Sequence, residues 1–255
     1  MRQAMNPRLL LINYHYVREG HCQFPGIHPL HPDEFRRQVE MLRVRFHIAS
    51  PEDISDFALG RKQLSRDSVF LTFDDGLREQ AEIARQVLEP LRIRAAFFAC
   101  SRPALEGCAL SVHKVHWLRA HTEPAVFAAE FFGRLPVDSG ALLGERHTAA
   151  AAQTYIYDSP EIGRVKYAIN FLVEPRIVEE ITSQMLAARG IDEGVFCRDL
   201  YMDEADLKRL TGDGHVVGVH GHAHLPFSRL AGNDLREDVR KNLSFLDSAT
   251  GVRPA

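Results

Sequence analysis

VFLTFDDGL, residues 69–77, is an apolar, β-prone run that stops at two adjacent carboxylates and a glycine. Val69, Phe70, Leu71 and Phe73 read as a buried strand, and the polar residues fall at its C-terminal end. In parallel α/β architectures that end of the strands, with the loops that follow, builds the active site, so Asp74 and Asp75 stand where polar residues carry information. Neighbours on an extended backbone point in opposite directions, so one carboxylate can bind a cation while the other faces substrate. Gly76 permits a tight turn that keeps both near the opening. The competing reading is a helix cap, a common use of aspartate before a helix start.

Around this stretch the chain alternates between strand and helix patterns. RLLLINYHYV (8–17) reads as a buried first strand with His15 near its C-terminal end. HPDEFRRQVEMLRVRF (31–46) puts Phe35, Val39, Leu42 and Phe46 on one helical stripe behind a Pro-Asp-Glu start. LREQAEIARQVLEPL (77–91) does the same with Leu77, Ala81, Ala84 and Leu88, and IRAAFFAC (93–100) returns to strand. Strand, helix and strand at short spacing imply right-handed parallel crossovers. From about 102 to 200 the pattern is helical throughout, which predicts an insertion. The rhythm resumes with a helix at DEADLKRLTGDG (203–214), a strand at HVVGVHG (215–221) and a helix at NDLREDVRKNLSFLDSATG (233–251). The expectation is one domain over residues 1–255, carrying a helical insertion.

Composition narrows the function. A chain of 255 residues that is 45% hydrophobic can bury one large core. Its formal net charge of -3, without a basic block, offers no footprint for nucleic acid or an anionic membrane. Cys22, Cys100, Cys108 and Cys197 are scattered and read as ordinary buried thiols in a reducing compartment. The N-terminal segment lacks a signal peptide's apolar region, and no stretch approaches the ~18 apolar residues of a membrane span, so a cytoplasmic location without membrane insertion is expected.

A second strand end carries histidines. VVGVHGHAHLPF (216–227) places His220, His222 and His224 within five residues, and imidazole is the commonest side-chain metal ligand. A continuing strand would put all three on one face, whereas a helical turn would pair His220 with His224. Two histidines with one aspartate from the other strand end make a three-ligand site with room for water, the open arrangement of a catalytic metal.

These stretches together resemble the polysaccharide deacetylases, the NodB-homology group or carbohydrate esterase family 4. LTFDDG (71–76) is similar to that family's first motif and HGHAHLPF (220–227) to its second, in which Gly221 stands where the family usually has serine or threonine. LLLINYHYV, the 31–54 segment and RIRAAFFA match the opening strand, the first helix with its following strand, and the strand after the first motif. The resemblance covers roughly residues 8–101 and 200–254. It implies a distorted, incomplete parallel (β/α) barrel in which Asp75, His220 and His224 hold a divalent metal, most often zinc, with cobalt, nickel or manganese as alternatives. It further implies that Asp74 is the general base, that His222 has no family role, and that the reaction releases acetate and a free amine from an N-acetylated sugar or saccharide precursor in surface-polysaccharide (O-antigen-like) synthesis.

ATGVRPA (249–255) is similar to the segment leading into the family's third motif, and the later aspartate-bearing motif and general-acid histidine have no counterpart here. Three explanations stay open: a truncated chain, missing groups borrowed from the insertion or a partner subunit, or a degenerate protein that binds metal or carbohydrate without catalysis. An open sheet edge has to be covered, and a homo-oligomer is one way to cover it. His113 and His116, beside Trp117, are candidates for a borrowed acid, although an ordinary amphipathic helix explains them better. An amidohydrolase-type barrel ranks lower, because its His-x-His ends an early strand and no histidine follows His224.

Overall fold

The computed structural model describes residues 7–20, 23, 26–136 and 144–254. Its elements, in chain order, are β1 (Leu9–Tyr14), α1 (Pro32–Arg45), β2 (His47–Ile48), α2 (Pro51–Ala58), β3 (Ser68–Phe73), α3 (Arg78–Ile83), β4 (Ala96–Ala99), α4 (Arg102–Glu106), α5 (Ser111–Ala120), α6 (Pro124–Gly133), α7 (Glu145–Thr154), α8 (Pro160–Tyr167), α9 (Pro175–Ala187), α10 (Glu193–Leu200), α11 (Glu204–Gly212), β5 (Val216–Val219) and α12 (Gly232–Thr250). Two compact units emerge. The first comprises residues 1–20, 29–107 and 197–255 and holds all five strands; the second comprises 21–28 and 108–196 and is helical among its described residues.

Every pairing in the sheet is parallel, in the order β1-β3-β4-β5. β1 pairs with β3 along its whole length, from Leu9↔Ser68 to Tyr14↔Phe73. β2 and β4 therefore share the other edge of β3, at Ser68–Val69 and Thr72–Phe73 respectively. Connections through helices align the C-terminal ends of β1, β3, β4 and β5, which is where the polar residues of both motifs sit. The α/β architecture expected from the strand and helix rhythm is the one observed.

An aromatic ladder crosses the sheet on one face. Tyr14 stacks on Phe73 at 5.5 Å, Phe73 on Phe97 at 4.7 Å, and Phe97 meets the His215 ring edge-on at 5.3 Å. Phe35 of α1 closes against Tyr14 at 4.9 Å, so the buried stripe Phe35, Val39 and Leu42 meets the sheet as its spacing predicts.

Three sequence expectations need correction. β1 is not a buried strand: Leu10 and Leu11 are 49% and 59% exposed, because it is a terminal strand whose far edge pairs with nothing among the described residues. The helix after β3 widens into a π turn at Ala84–Leu88, and the extra residue brings Val87 into the buried face while Ala81 stays half-buried. Of the cysteines, Cys100 and Cys197 are buried but Cys108 is half-buried; Cys22 lies outside the described residues.

His215 makes the first unit sensitive to acid. Its Nδ1 accepts the Ala95 N–H at 3.1 Å, which leaves Nε2 as a buried donor with no hydrogen-bond partner among the described residues. Burial, followed by the charge of Arg94, pushes the imidazole down to about 4. A depressed folded value means the neutral ring is favoured in the native state. The resulting stability is present above the unfolded value of about 6.5 and is lost as pH falls from there toward 4. The shift corresponds to about 3 kcal/mol at full effect. Denaturant titrations of the metal-free protein between pH 7 and pH 4.5 are expected to show a steeper loss than the same titrations of His215→Asn; equal slopes would refute this assignment.

Candidate metal centre

Asp74 ends the β1–β3 ladder. Its N–H donates to the Tyr14 carbonyl at 3.1 Å, and its own carbonyl accepts from Gln80 Nε2 at 2.6 Å. Gln80, fully buried, also reaches the His15 carbonyl at 3.0 Å and so fastens the ends of β1 and β3 together. The Asp74 carboxylate accepts from Asn13 Nδ2 at 2.8 Å, while Asn13 Oδ1 accepts from Thr72 Oγ1 at 3.1 Å. Thr72 thus fixes which face of the Asn13 amide is presented, and Asn13 fixes the carboxylate. His15 Nε2 lies 4.0 Å from Asp74 Oδ2, with the imidazole 49% exposed and the carboxylate 19%.

Asp75 leaves the strand geometry altogether. It has φ +77°, followed by Gly76 at φ +71°, so a left-handed turn rather than the pleat separates the two carboxylates. A Cβ at Gly76 would lie 2.8 Å from that of Ala99, which makes glycine the residue that fits the turn against β4. Neither aspartate caps α3, whose N-cap is Leu77 and receives no side-chain bond. The turn buries Asp75 to 4% exposure and aims it across the sheet ends toward the loop after β5.

That loop is neither strand nor helical turn. β5 stops at Val219, and Gly221 at φ +80° and His224 at φ +56° coil the chain so that His220 and His224 face one carboxylate oxygen. His220 Nε2 and His224 Nε2 each lie 3.1 Å from Asp75 Oδ1, and their ring centroids are 4.9 Å apart. Burial disfavours charge on His220, but the hydrogen bond to Asp75 and the charges of Asp74 and Asp75 outweigh it and raise the imidazole above its ordinary value. One carboxylate between two imidazoles suits a cation: the three ligand atoms lie within 4.8 Å of one another, and two nitrogens with one oxygen match the donor preferences of zinc and its neighbours.

The remaining candidates fall elsewhere. His222 is buried, with Nδ1 at 2.9 Å from Ser101 Oγ and Nε2 at 2.9 Å from Glu106 Oε1, so both ring nitrogens are taken. Ser101 is itself fully buried, which rules out a nucleophile in that Ser-His-Glu arrangement. The Cys100 thiol donates to the His220 carbonyl at 3.3 Å, and burial, then the charges of Asp75 and Asp238, holds it well above the usual thiol range. It is neither ligand nor nucleophile. His113 and His116 lie on α5 of the second unit, 6.2 Å apart, with His113 buried, and Trp117 stacks on His121 at 4.1 Å. In that unit Cys108, Glu179 and Glu193 form another group of close donor atoms, but the buried Lys114 ammonium already sits between the two glutamates, 3.3 Å from Glu179. A cation there is supplied by the chain.

Sequence reading missed Asn13, Gln80, Asp238 and Asn242. Asn13 interrupts an apolar strand, whereas Gln80, Asp238 and Asn242 sit among other polar residues in their helices and carry the pattern of ordinary surface positions. Asn242 is nonetheless fully buried, accepts the His220 N–H at 2.9 Å, and donates to the Ala99 carbonyl at 3.0 Å, tying the ends of β4 and β5 together.

No protein-family model matches the sequence, and no curated protein sequence matches it. Solved structures do. IcaB from Ammonifex degensii superposes with a TM-score of 0.54 at 16% identity, over 98% of this chain and 72% of that one. The Streptococcus pyogenes deacetylase PplD, solved with acetate, gives 0.50 at 11% identity over 99% and 72%. BC0361, a polysaccharide deacetylase from Bacillus cereus, gives 0.50 at 12% identity over 98% and 49%. At these identities the likeness speaks of architecture, and the chain has the fold of the polysaccharide deacetylases.

Proposed function

We propose that this protein is a metal-dependent N-deacetylase acting on an N-acetylated sugar or saccharide. The observation that carries the reading is the pairing of two differently held carboxylates: Asp75 enclosed by His220 and His224, and Asp74, outside that cluster, partly exposed and oriented by Asn13. A cation site needs only the first. The second is what a hydrolase adds, a base at the edge of the site.

Asp75, His220 and His224 would hold the ion, and two imidazoles with one carboxylate are a donor set that suits zinc. When bound, a divalent ion there supplies Lewis acidity, polarising a carbonyl oxygen and acidifying water. Asp74 takes the proton from the attacking water, and the Thr72–Asn13–Asp74 chain holds its acceptor oxygen in place for that transfer. The leaving amine needs a proton in return. His15, 4.0 Å from Asp74 and half-exposed at the end of β1, is the titratable group beside the base and is proposed as the donor. The products are acetate and a free amine.

The test is acetate release from a panel of N-acetylated sugars and oligosaccharides by the zinc-supplemented protein, with the free amine measured in parallel. Equimolar acetate and amine from at least one substrate, falling about 10²–10⁴-fold in His15→Asn, is the expected result. Zinc binding without release from any substrate would favour the non-catalytic alternative. Release undiminished in His15→Asn would remove His15 from the mechanism.

A further inference from the structure

The loop that carries the two histidines has an unusual foundation. Asp238 on α12 is buried, 8% exposed, and spends both carboxylate oxygens on that loop: Oδ2 accepts the His222 N–H at 2.8 Å and Oδ1 the Ala223 N–H at 3.1 Å. Asn242, one helical turn further along the same face, takes the His220 N–H. Two side chains of one helix thus hold three of the four amides from 220 to 223. On the other side the Cys100 thiol and the Arg102 N–H hold the carbonyls of His220 and His222. The His222 side chain adds the bridge to Ser101 and Glu106 described above.

Residue 221 is what makes room for this arrangement. A Cβ built there would lie 2.7 Å from Asp238 Oδ2 and 3.8 Å from its Cγ, and the backbone stands at φ +80°. Any side chain would collide with the carboxylate and strain the turn. Gly221 and Asp238 are therefore one device: the glycine leaves the space, and the carboxylate fills it and organises the loop.

The structure assigns Asp238, seated in the space left by Gly221, as the positioning residue that sets His220 and His224 for a divalent cation. This rests on the metal-binding reading of Asp75, His220 and His224. Asp238 touches neither ion nor substrate. It acts by holding the backbone on both sides of His222, so that the flanking imidazoles reach the same oxygen of Asp75. Positioning partners of this kind typically change metal affinity 10–100-fold.

The experiment uses the full chain as wild type, Asp238→Asn and Gly221→Ala, with zinc as the probe. Zinc affinity is measured by chelator competition, and hydrogen exchange of peptides spanning 219–226 and 68–73 is followed in the metal-free proteins. In Asp238→Asn one acceptor becomes a donor facing an N–H. Zinc binding is expected to weaken about 10–100-fold, with faster exchange in 219–226 and unchanged protection in 68–73. Gly221→Ala, which keeps the Asp238 carboxylate itself, is expected to give the same signature by displacing it. Wild-type affinity and loop exchange in both variants would overturn the assignment, as would protection lost equally from both peptides. Absence of zinc binding in the wild type would instead overturn the metal reading, and the exchange comparison would still decide whether Asp238 holds the loop.

Discussion

Asp74→Asn is expected to lower acetate release by about 10²–10⁴-fold, the usual contribution of a positioned acid or base, while leaving zinc content at the wild-type level. The two readouts separate because the two aspartates are held differently. Asp74 is not among the three clustered ligand groups, so removing its charge leaves Asp75, His220 and His224 in place. The substitution also conserves shape, since an amide oxygen can still accept from Asn13 Nδ2. What it cannot do is take a proton from water. Steady-state rates with metal analysis of the same samples provide the check, and a rate within a few-fold of wild type would mean that the base lies elsewhere.

His220→Ala carries the larger expected effect. Three protein ligands form the cluster, and a catalytic metal site leaves its remaining positions to water and substrate, so deleting one imidazole leaves two ligands. Zinc affinity is expected to fall by more than the roughly 10–100-fold that the loss of an outer partner costs, and acetate release should fall to background. The fold should survive. His220 is partly exposed, and its backbone N–H remains bonded to Asn242, so truncation opens no cavity in the aromatic ladder of Tyr14, Phe73 and Phe97. Inductively coupled plasma measurement of bound zinc, with circular dichroism on the same preparation, tests both halves. A variant that keeps its metal and its rate would show that the cluster is not the site.

Much of this was legible in the sequence because it depends on period and position. The apolar run 69–73, the stripe Phe35, Val39 and Leu42, and the short strand–helix spacing specify buried parallel strands covered by helices, and polar residues at strand ends then mark the site. Strand ends narrowed the ligands to one of Asp74 and Asp75 with two of His220, His222 and His224; the set Asp75, His220 and His224 came from the resemblance to the polysaccharide deacetylases. The local geometry was not readable. Neither extended pleat nor helical turn describes the histidine loop, which is left-handed at 221 and 224 and whose amides at 220, 222 and 223 are held by α12 side chains 15 or more residues away. The same holds for the Asp75 turn, which exists because Gly76 packs against Ala99 across the sheet. Contacts distant along the chain leave no periodic trace. Asn13 and Asp238 therefore look like solvent-facing polar residues until the fold brings their partners to them.

The exposed Leu10 and Leu11 of β1 teach a related lesson. Hydrophobicity marks a strand, but burial is set by its place in the sheet, and a terminal strand is covered only on the sides where neighbours exist.

The most direct measurement of the central claim is a zinc titration of the chelator-stripped wild-type protein, with bound zinc and acetate release followed together on one N-acetylated substrate. Both should rise in parallel and saturate at one zinc per chain. Acetate release at full rate from the stripped protein, or saturation with zinc that brings no release from any substrate, would contradict it.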